Sequence, residues 1–259
     1  MITKDLLAAV TTIAKEAGEV IMAVYATNFA VANKQDASPV TEADQKAEEV
    51  ILDALARLTP DVPIVSEEAA STLQAPLPQQ QNRFWLVDPL DGTKEFINRN
   101  GEFTVNIALI EAGQPVLGVV LAPALGRLFV GARGLGAFLD DAQGRRAIHS
   151  RSVPNEGLTV VASRSHGDAE ALDRLLAGRP IARLVSAGSS LKLCLVAAGE
   201  ADIYPRLGRT MEWDIAAGHA VLAAAGGRVE TLSQVALSYN KPGFENPHFA
   251  AIGDPQFTL

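Results

Sequence analysis

Apolar residues recur every three or four positions through the first part of the chain: Leu6, Leu7, Val10, Ile13, Ala14, Ala17, Val20, Ile21 and Val24. That spacing puts them on one face of a helix running to about Tyr25. A second helix is predicted from Thr41, whose hydroxyl can cap it ahead of Glu42 and Asp44, to about Leu58. Pro60 and Pro63 stop it, since proline lacks an amide and clashes inside a helix. A short apolar run at 62–65 follows, then a Gln- and Pro-rich stretch, 71–83, that reads as an exposed loop. Here the period changes. Apolar runs at 84–87, 104–111, 116–121 and 128–132 predict strands, with Gly113-Gln114 as a hairpin connection. Polarity rises over 140–157, through Asp140-Asp141 and Arg145-Arg146, and a domain boundary is expected there, dividing 1–150 from 151–259. The second half alternates in type, with strands at 158–162, 181–185 and 201–204 and helices at 168–176, 189–198 and 214–225. Such alternation predicts an α/β architecture, a parallel or mixed sheet covered by helices, after an α+β first half.

The run at 84–87 leads into Asp88-Pro89-Leu90-Asp91-Gly92-Thr93. Proline cannot extend a sheet ladder, so the chain is expected to turn there and bring Asp88 and Asp91 together. Two carboxylates that close repel each other unless a cation lies between them, and hard divalent cations prefer oxygen ligands. The Leu90 carbonyl is a further available ligand. An ordinary turn stays open as a reading, because Asp-Pro and Asp-Gly are common turn pairs. Glu67-Glu68 follows the apolar run at 62–65, and Asp214 stands at the mouth of an apolar helix. Taken singly, the first pair also reads as a solvated loop and Asp214 as a helix cap. Acids at the ends of three separate elements form the pattern of a multi-metal carboxylate site.

Glu67-Glu68, the 88–93 motif and Trp213-Asp214-Ile215-Ala216-Ala217-Gly218 resemble the signature of the inositol monophosphatase superfamily of metal-dependent, lithium-sensitive phosphomonoesterases. Ser38-Pro39-Val40-Thr41-Glu42-Ala43-Asp44, Gly188-Ser189-Ser190-Leu191-Lys192 and Tyr204-Pro205-Arg206 resemble its bacterial 3′(2′),5′-bisphosphate nucleotidase branch. The likeness covers about Lys34 to Asn246. It implies a layered αβαβα sandwich of the inositol monophosphatase and fructose-1,6-bisphosphatase type, with a metal-binding first domain and a substrate-binding second. It implies two Mg²⁺ ions: one on Glu67, Asp88 and the Leu90 carbonyl, the other on Asp88, Asp91 and Asp214, with Glu68 assisting a third, weaker ion. Such ions activate a water and stabilise charge on the attacking and leaving oxygens. Glu67, Thr93 and Asp44 are the implied catalytic residues, with Thr93 orienting the water and Asp44 accepting behind it. Gly92 and Thr93 are expected to open a helical turn whose amides face phosphate oxygens, a role compatible with simple capping.

For substrate, the resemblance implies contacts from Ser163, His166, Gly188, Lys192 and Asp214, with Lys192 supplying a cation to a 5′-phosphate. His166 also reads as an exposed loop histidine, and Lys192 as a solvated helix residue. His219, inside an apolar helix, reads as a packed core residue. The implied reaction is hydrolysis of adenosine 3′,5′-bisphosphate to AMP and orthophosphate. An inositol or other sugar phosphatase would use the same acids, and a non-catalytic Mg²⁺- or nucleotide-binding regulator is the reading from another class.

Composition narrows these choices only a little. The chain has 259 residues, 48% of them hydrophobic, enough for a substantial core. A net charge of −8 argues against a nucleic-acid polymer as partner, though not against a mononucleotide. No apolar run reaches spanning length and no signal-peptide pattern opens the chain, so an integral membrane segment is not expected. The lone Cys194, in an apolar context, reads as a buried small hydrophobe and fits a reducing cytoplasm. Peripheral contact with an inner membrane face is open, as is the choice between monomer and homodimer.

Overall fold

The computed structural model describes residues 2–33, 39–70, 82–163 and 169–259. Helix α1 (Lys4–Tyr25) begins where Thr3 accepts from the Leu6 amide, and α2 (Glu42–Leu58) begins at a capping box between Thr41 and Asp44. Between them lie two short antiparallel strands, β1 (Val31–Asn33) and β2 (Pro39–Thr41). The main sheet follows: β3 (Ile64–Ser66), the turn of helix α3 (Glu67–Ala70), β4 (Arg83–Asp91), helix α4 (Thr93–Ile97), β5 (Thr104–Glu111), β6 (Gln114–Ala122), β7 (Arg127–Ala132), β8 (Gly136–Asp141) and β9 (Gly144–Ile148). These strands lie in sequence order; β3 runs parallel to β4 and the rest are antiparallel. The rest of the chain supplies β10 (Leu158–Ser163), α5 (Ala169–Leu175), β11 (Ile181–Ala187), α6 (Leu191–Ala197), β12 (Ile203–Arg206), α7 (Glu212–Ala224), β13 (Arg228–Thr231) and β14 (Phe249–Ile252). Its sheet is mixed, in the order β11-β10-β12-β14-β13.

Alternating side chains assign the layers. Trp85, Val87, Ile107, Leu109 and Val119 pack with Val10, Ala14, Ile21 and Ile51 of α1 and α2. Phe84, Leu86, Ala108, Ile110 and Val120 face the other way and share a core with Leu193 of α6 and Ala216 and Val221 of α7. A strand covered on both faces carries no polar alternation, which is why these runs are continuously apolar. The second sheet covers the far side of α6 and α7, and Leu172 of α5 closes its outer face against Leu158, Val160 and Ile203. The layers are therefore αβαβα. Buried between two sheets, α7 is apolar all round rather than amphipathic. Among the described residues, no helix is long and apolar enough to cross a membrane.

Two pairs of strands have no counterpart among the expected elements, and one expected strand end needs correction. The polar stretch from 140 belongs largely to the β8–β9 hairpin, where Asp140 stands opposite Arg145 and Arg146 donates to Asp141 at 2.7 Å. β13 and β14 complete the second sheet and have no counterpart among the expected strands. β4 does not end before Pro89 but continues to Asp91. Its neighbour β3 ends at Ser66, opposite Val87, so beyond that point β4 is paired on one side only and a proline is tolerated. Of the expected loop at 71–83, residues 71–81 lie outside the described residues.

Close approach fixes α7 against the main sheet. A Cβ on Gly118 of β6 would lie 2.2 Å from the Ala217 carbonyl oxygen, and one on Gly131 would lie 2.7 Å from Val221 Cα. Backbone cannot yield as a flexible side chain does, so Gly118→Ala must push α7 away. Overpacking of this kind costs about 3 kcal/mol at the upper end of its usual range. The expected result in urea denaturation is a lower midpoint with an unchanged slope.

Candidate active site

A bulge in β4 aims the acids. Asp88 stands opposite Asn106 and Asp91 opposite Thr104, so the interval on β4 holds one residue more than on β5. Asp88 continues the face of Phe84 and Leu86, toward α7, and the extra residue turns Asp91 to that same side while Leu90 faces the α1 and α2 core. Asp214 comes from the first turn of α7, where its Oδ2 accepts from the Met211 amide at 2.9 Å. Asp214 is thus the cap that its position suggested, and it also faces Asp91 and Glu67. Glu67 opens α3, directly after β3, and lies against Asp88 with a hydrogen bond between the two carboxyl groups. The neighbouring Glu68 shares this short helix.

The chain reverses at Gly92, whose φ of 89° lies in the left-handed region. Thr93 then begins α4, as expected, and Gly92 and Thr93 both line the cleft in front of the acids. Phe96 anchors that short helix in an aromatic group, its ring about 5.0 Å from those of Tyr25 and Phe103. Thr93 Oγ1 is 3.4 Å from Asp44 Oδ1 and 3.4 Å from the Leu90 carbonyl oxygen. The other Asp44 oxygen accepts from the Thr41 amide at 2.8 Å and the Thr41 hydroxyl at 2.7 Å. One carboxylate therefore caps α2 and holds Thr93.

Burial and mutual repulsion dominate the electrostatics. Desolvation, then the charges of Glu67, Asp91 and Asp214, push the Asp88 carboxyl well above the usual range. Asp214 is pushed up to about 8, first by burial and then by Asp91. Asp91 rises only to about 6, because Lys192 opposes its burial. Burial also raises Asp44, against the bonds from Thr41. Thr104 Oγ1 and Asn106 Oδ1, opposite the aspartates, are buried without a hydrogen-bond partner among the described residues. Asn106 Nδ2 sits 3.4 Å from Asp91 Oδ2. Among the described residues, no three acids, imidazoles or thiols close into a ready-made cage; Asp88 and Asp214 each lean on a nearby backbone amide instead.

The opposite wall comes from the second half and is basic. Lys192 is buried rather than solvated, and burial lowers it to about 8. Its Nζ donates to the Ser189 and Ala187 carbonyls and lies 5.5 Å from the Tyr204 ring centroid. Gly188 lies in the same cleft, its amide donating to Glu102 Oε2 at 2.8 Å. A Cβ there would meet the Glu102 carbonyl oxygen at 2.7 Å. Sequence spacing alone gave no reason to single out Arg206, Arg209, Lys94 or Glu95, which line this cleft too. Of these, only Arg206 had a signal, through the Tyr204-Pro205-Arg206 triplet. His166 lies outside the described residues, and of Ser163 only the backbone, at the end of β10, is described. His219 is a core residue, buried and bonded to the Tyr239 hydroxyl at 2.9 Å, and Cys194 is buried.

Comparison with known proteins places the chain in a family. The profile of the inositol monophosphatase family matches residues 3–251. The 3′(2′),5′-bisphosphate nucleotidase CysQ of Salmonella typhimurium is 49% identical over 247 residues, which span 94% of this chain and 98% of that protein. The protein of the same name from Escherichia coli strain K12 is 49% identical over 243 residues, 93% and 96% of the two chains. Among solved structures, CysQ from Bacteroides thetaiotaomicron matches with a TM-score of 0.82 at 35% identity, over 98% of both chains. An inositol monophosphatase from Zymomonas mobilis gives a TM-score of 0.79 at 26% identity, over 98% of this chain and 94% of its own. The acids of the main sheet and the profile that runs through both halves lead to one conclusion: the chain belongs to the inositol monophosphatase family.

Proposed function

We propose that this protein is a metal-dependent phosphatase that hydrolyses 3′(2′),5′-bisphosphate nucleotides, taking adenosine 3′,5′-bisphosphate to AMP and orthophosphate. The observation that carries this reading is a single cleft with two walls of opposite charge. Asp91, Asp214 and Glu67 line it together with Lys192, Arg206 and Arg209. A substrate with two phosphates matches it: the scissile one meets the acids through cations, and the second meets the basic wall. Relatives that are 49% identical carry the name bisphosphate nucleotidase.

The acid wall fits Mg²⁺ by its donor chemistry. All its donors are hard oxygens, and its carboxyl groups are held together against their own repulsion. Glu67, Asp88 and the Leu90 carbonyl would hold one ion and Asp88, Asp91 and Asp214 a second, with Glu68 near a third. When bound, Mg²⁺ neutralises the acids and stabilises charge developing around the phosphorus. The chain's own groups do the rest. Asp44, 3.4 Å from the Thr93 hydroxyl, accepts through it the proton that the attacking water gives up. The amides of Gly92 and Thr93 orient the scissile phosphate. Lys192 and Arg206, both buried and preset by bonds to backbone carbonyls, hold the second phosphate. The intact Asp44–Thr93 contact favours an enzyme over a binding protein on the same scaffold. A cytoplasmic setting accords with the buried, unpaired Cys194.

Raised acid pKa values give a sign to pH dependence. An acid whose folded pKa exceeds its unfolded value near 3.8 stabilises the fold below that value and loses this effect as pH rises through the folded one. For Asp91 and Asp214 the window ends at about 6 and about 8. His219, lowered to about 3, is neutral in both states above about pH 7. Lys192, lowered to about 8, releases its proton over the same range as Asp214 and offsets it. That leaves the net loss between pH 7 and 8 to Asp88, which burial and its acidic neighbours raise well above the usual range. The metal-free protein is therefore expected to melt at a lower temperature at pH 8 than at about pH 7. Mg²⁺ should reverse the loss, as read by differential scanning fluorimetry.

Activity gives the direct test. Phosphate release from adenosine 3′,5′-bisphosphate should need Mg²⁺, stop on adding EDTA, and exceed in kcat/KM the release from inositol 1-phosphate. Asp91→Asn should reduce kcat by more than roughly 100-fold, the upper cost of changes merely adjacent to a metal ligand. Near-normal turnover in this variant would refute the metal-ligand assignment.

A further inference from the structure

At the mouth of the cleft, Arg209 is paired with an acid of its own chain. Lys192 and Arg206 are buried and bonded to backbone carbonyls, whereas the Arg209 side chain is 67% exposed. Its Nε donates to Glu245 Oε2 at 3.3 Å. That acid is planted there by backbone rather than by chance of rotamer. Glu245 forms an isolated antiparallel bridge with Met211, and the next residue, Asn246, donates its amide to the Thr210 carbonyl at 2.9 Å. Buried Asn246 also donates through Nδ2 to the Met211 carbonyl at 2.8 Å. The segment after Arg209 is thus zipped to the segment that carries Glu245. Meanwhile Arg206 Nη2 donates to the Arg209 carbonyl at 2.6 Å, so the mouth arginine continues the basic wall.

From this geometry we infer that Arg209 is a specificity-determining residue, that its ligand is the non-scissile phosphate of the substrate, and that Glu245 is its built-in competitor. The inference rests on the bisphosphate reading above. In the free protein Glu245 neutralises the guanidinium. A substrate bearing a second phosphate offers a stronger, doubly charged partner and takes the arginine over, and a substrate with one phosphate leaves the pair closed. Exposed ion pairs are weak, so the exchange is easy and screened by salt. Discrimination between the two substrates then depends on the difference between phosphate and carboxylate as partners for one guanidinium.

The test compares adenosine 3′,5′-bisphosphate with adenosine 3′-monophosphate, which share the scissile group and differ only in the 5′-phosphate. The readout is the ratio of their kcat/KM values in the full chain with Mg²⁺. Arg209→Gln should lower this ratio about fivefold, through KM of the bisphosphate, the upper size of one exposed charged contact. Glu245→Gln should raise it by roughly threefold at low salt, and the gain should shrink at about 0.5 M salt. In the double variant, Glu245→Gln should add nothing. Ratios that stay put in both single variants overturn the inference, as does a Glu245→Gln gain that survives without Arg209. An unaltered protein that is active on inositol 1-phosphate and idle on the bisphosphate overturns the functional reading instead.

Discussion

Like charges held together without room to separate are the constraint on which this structure turns. Asp88 and Asp91 are fixed by the β4 bulge, and Asp214 by the first turn of α7. The helix cannot slide away to relieve them, because its backbone rests on Gly118 and Gly131 of the main sheet and on the second sheet behind. Burial first, and repulsion that would dissipate in a loop second, show as carboxyl groups that keep their protons to unusually high pH. A divalent cation is the one ligand that converts this unfavourable field into a favourable one. Tight packing far from the chemistry thereby creates affinity at the site.

The two halves of the chain contribute opposite signs. Acids come mostly from the main sheet and the turns around it, whereas the buried cations come from α6 and β12. Lys192 restrains the rise of Asp91, and Arg206 restrains that of Asp214. The walls are tied directly: Glu102 accepts from the Gly188 amide, and the Ser190 hydroxyl donates to the Asp214 carbonyl. Displacing one half relative to the other would disturb both the cation site and the grip on a second phosphate. A shared core under α7 prevents that displacement.

What could be read from the sequence follows from where each element sits. Helices α1 and α2 cover one face of one sheet, so their apolar positions keep a clear helical period. The central strands are buried on both sides and announce themselves by length of apolar run alone. The β8–β9 hairpin lies at the sheet margin, and its charges pair across strands, so it looks like a linker when read along the chain. β13 and β14, four residues each, are too short to carry a period. The acids stood out because they cluster in sequence at strand ends. Arg209 did not, because a single cation has no spacing, and Arg206 was marked only by the Tyr204-Pro205-Arg206 resemblance; the fold reveals that both line the cleft with the acids. Asp44 was legible by resemblance alone, as the partner of Thr93, and the structure adds that its other oxygen closes the α2 capping box with Thr41.

The overall charge of −8 gives the basic wall its importance. At long range the protein repels a phosphate ester, so steering cannot supply affinity. Attraction must come from groups close enough to touch the substrate and dry enough to escape screening. Buried Lys192 and Arg206 meet that condition, since salt weakens exposed pairs far more than buried ones. Burial has a consequence of its own, visible in the lowering of Lys192 to about 8, near the point where its charge is lost. Asp91 keeps that charge in place, being the strongest influence opposing the desolvation of Lys192. The acid wall thus sustains the basic wall, and each makes the other tenable in a cleft too dry for either alone.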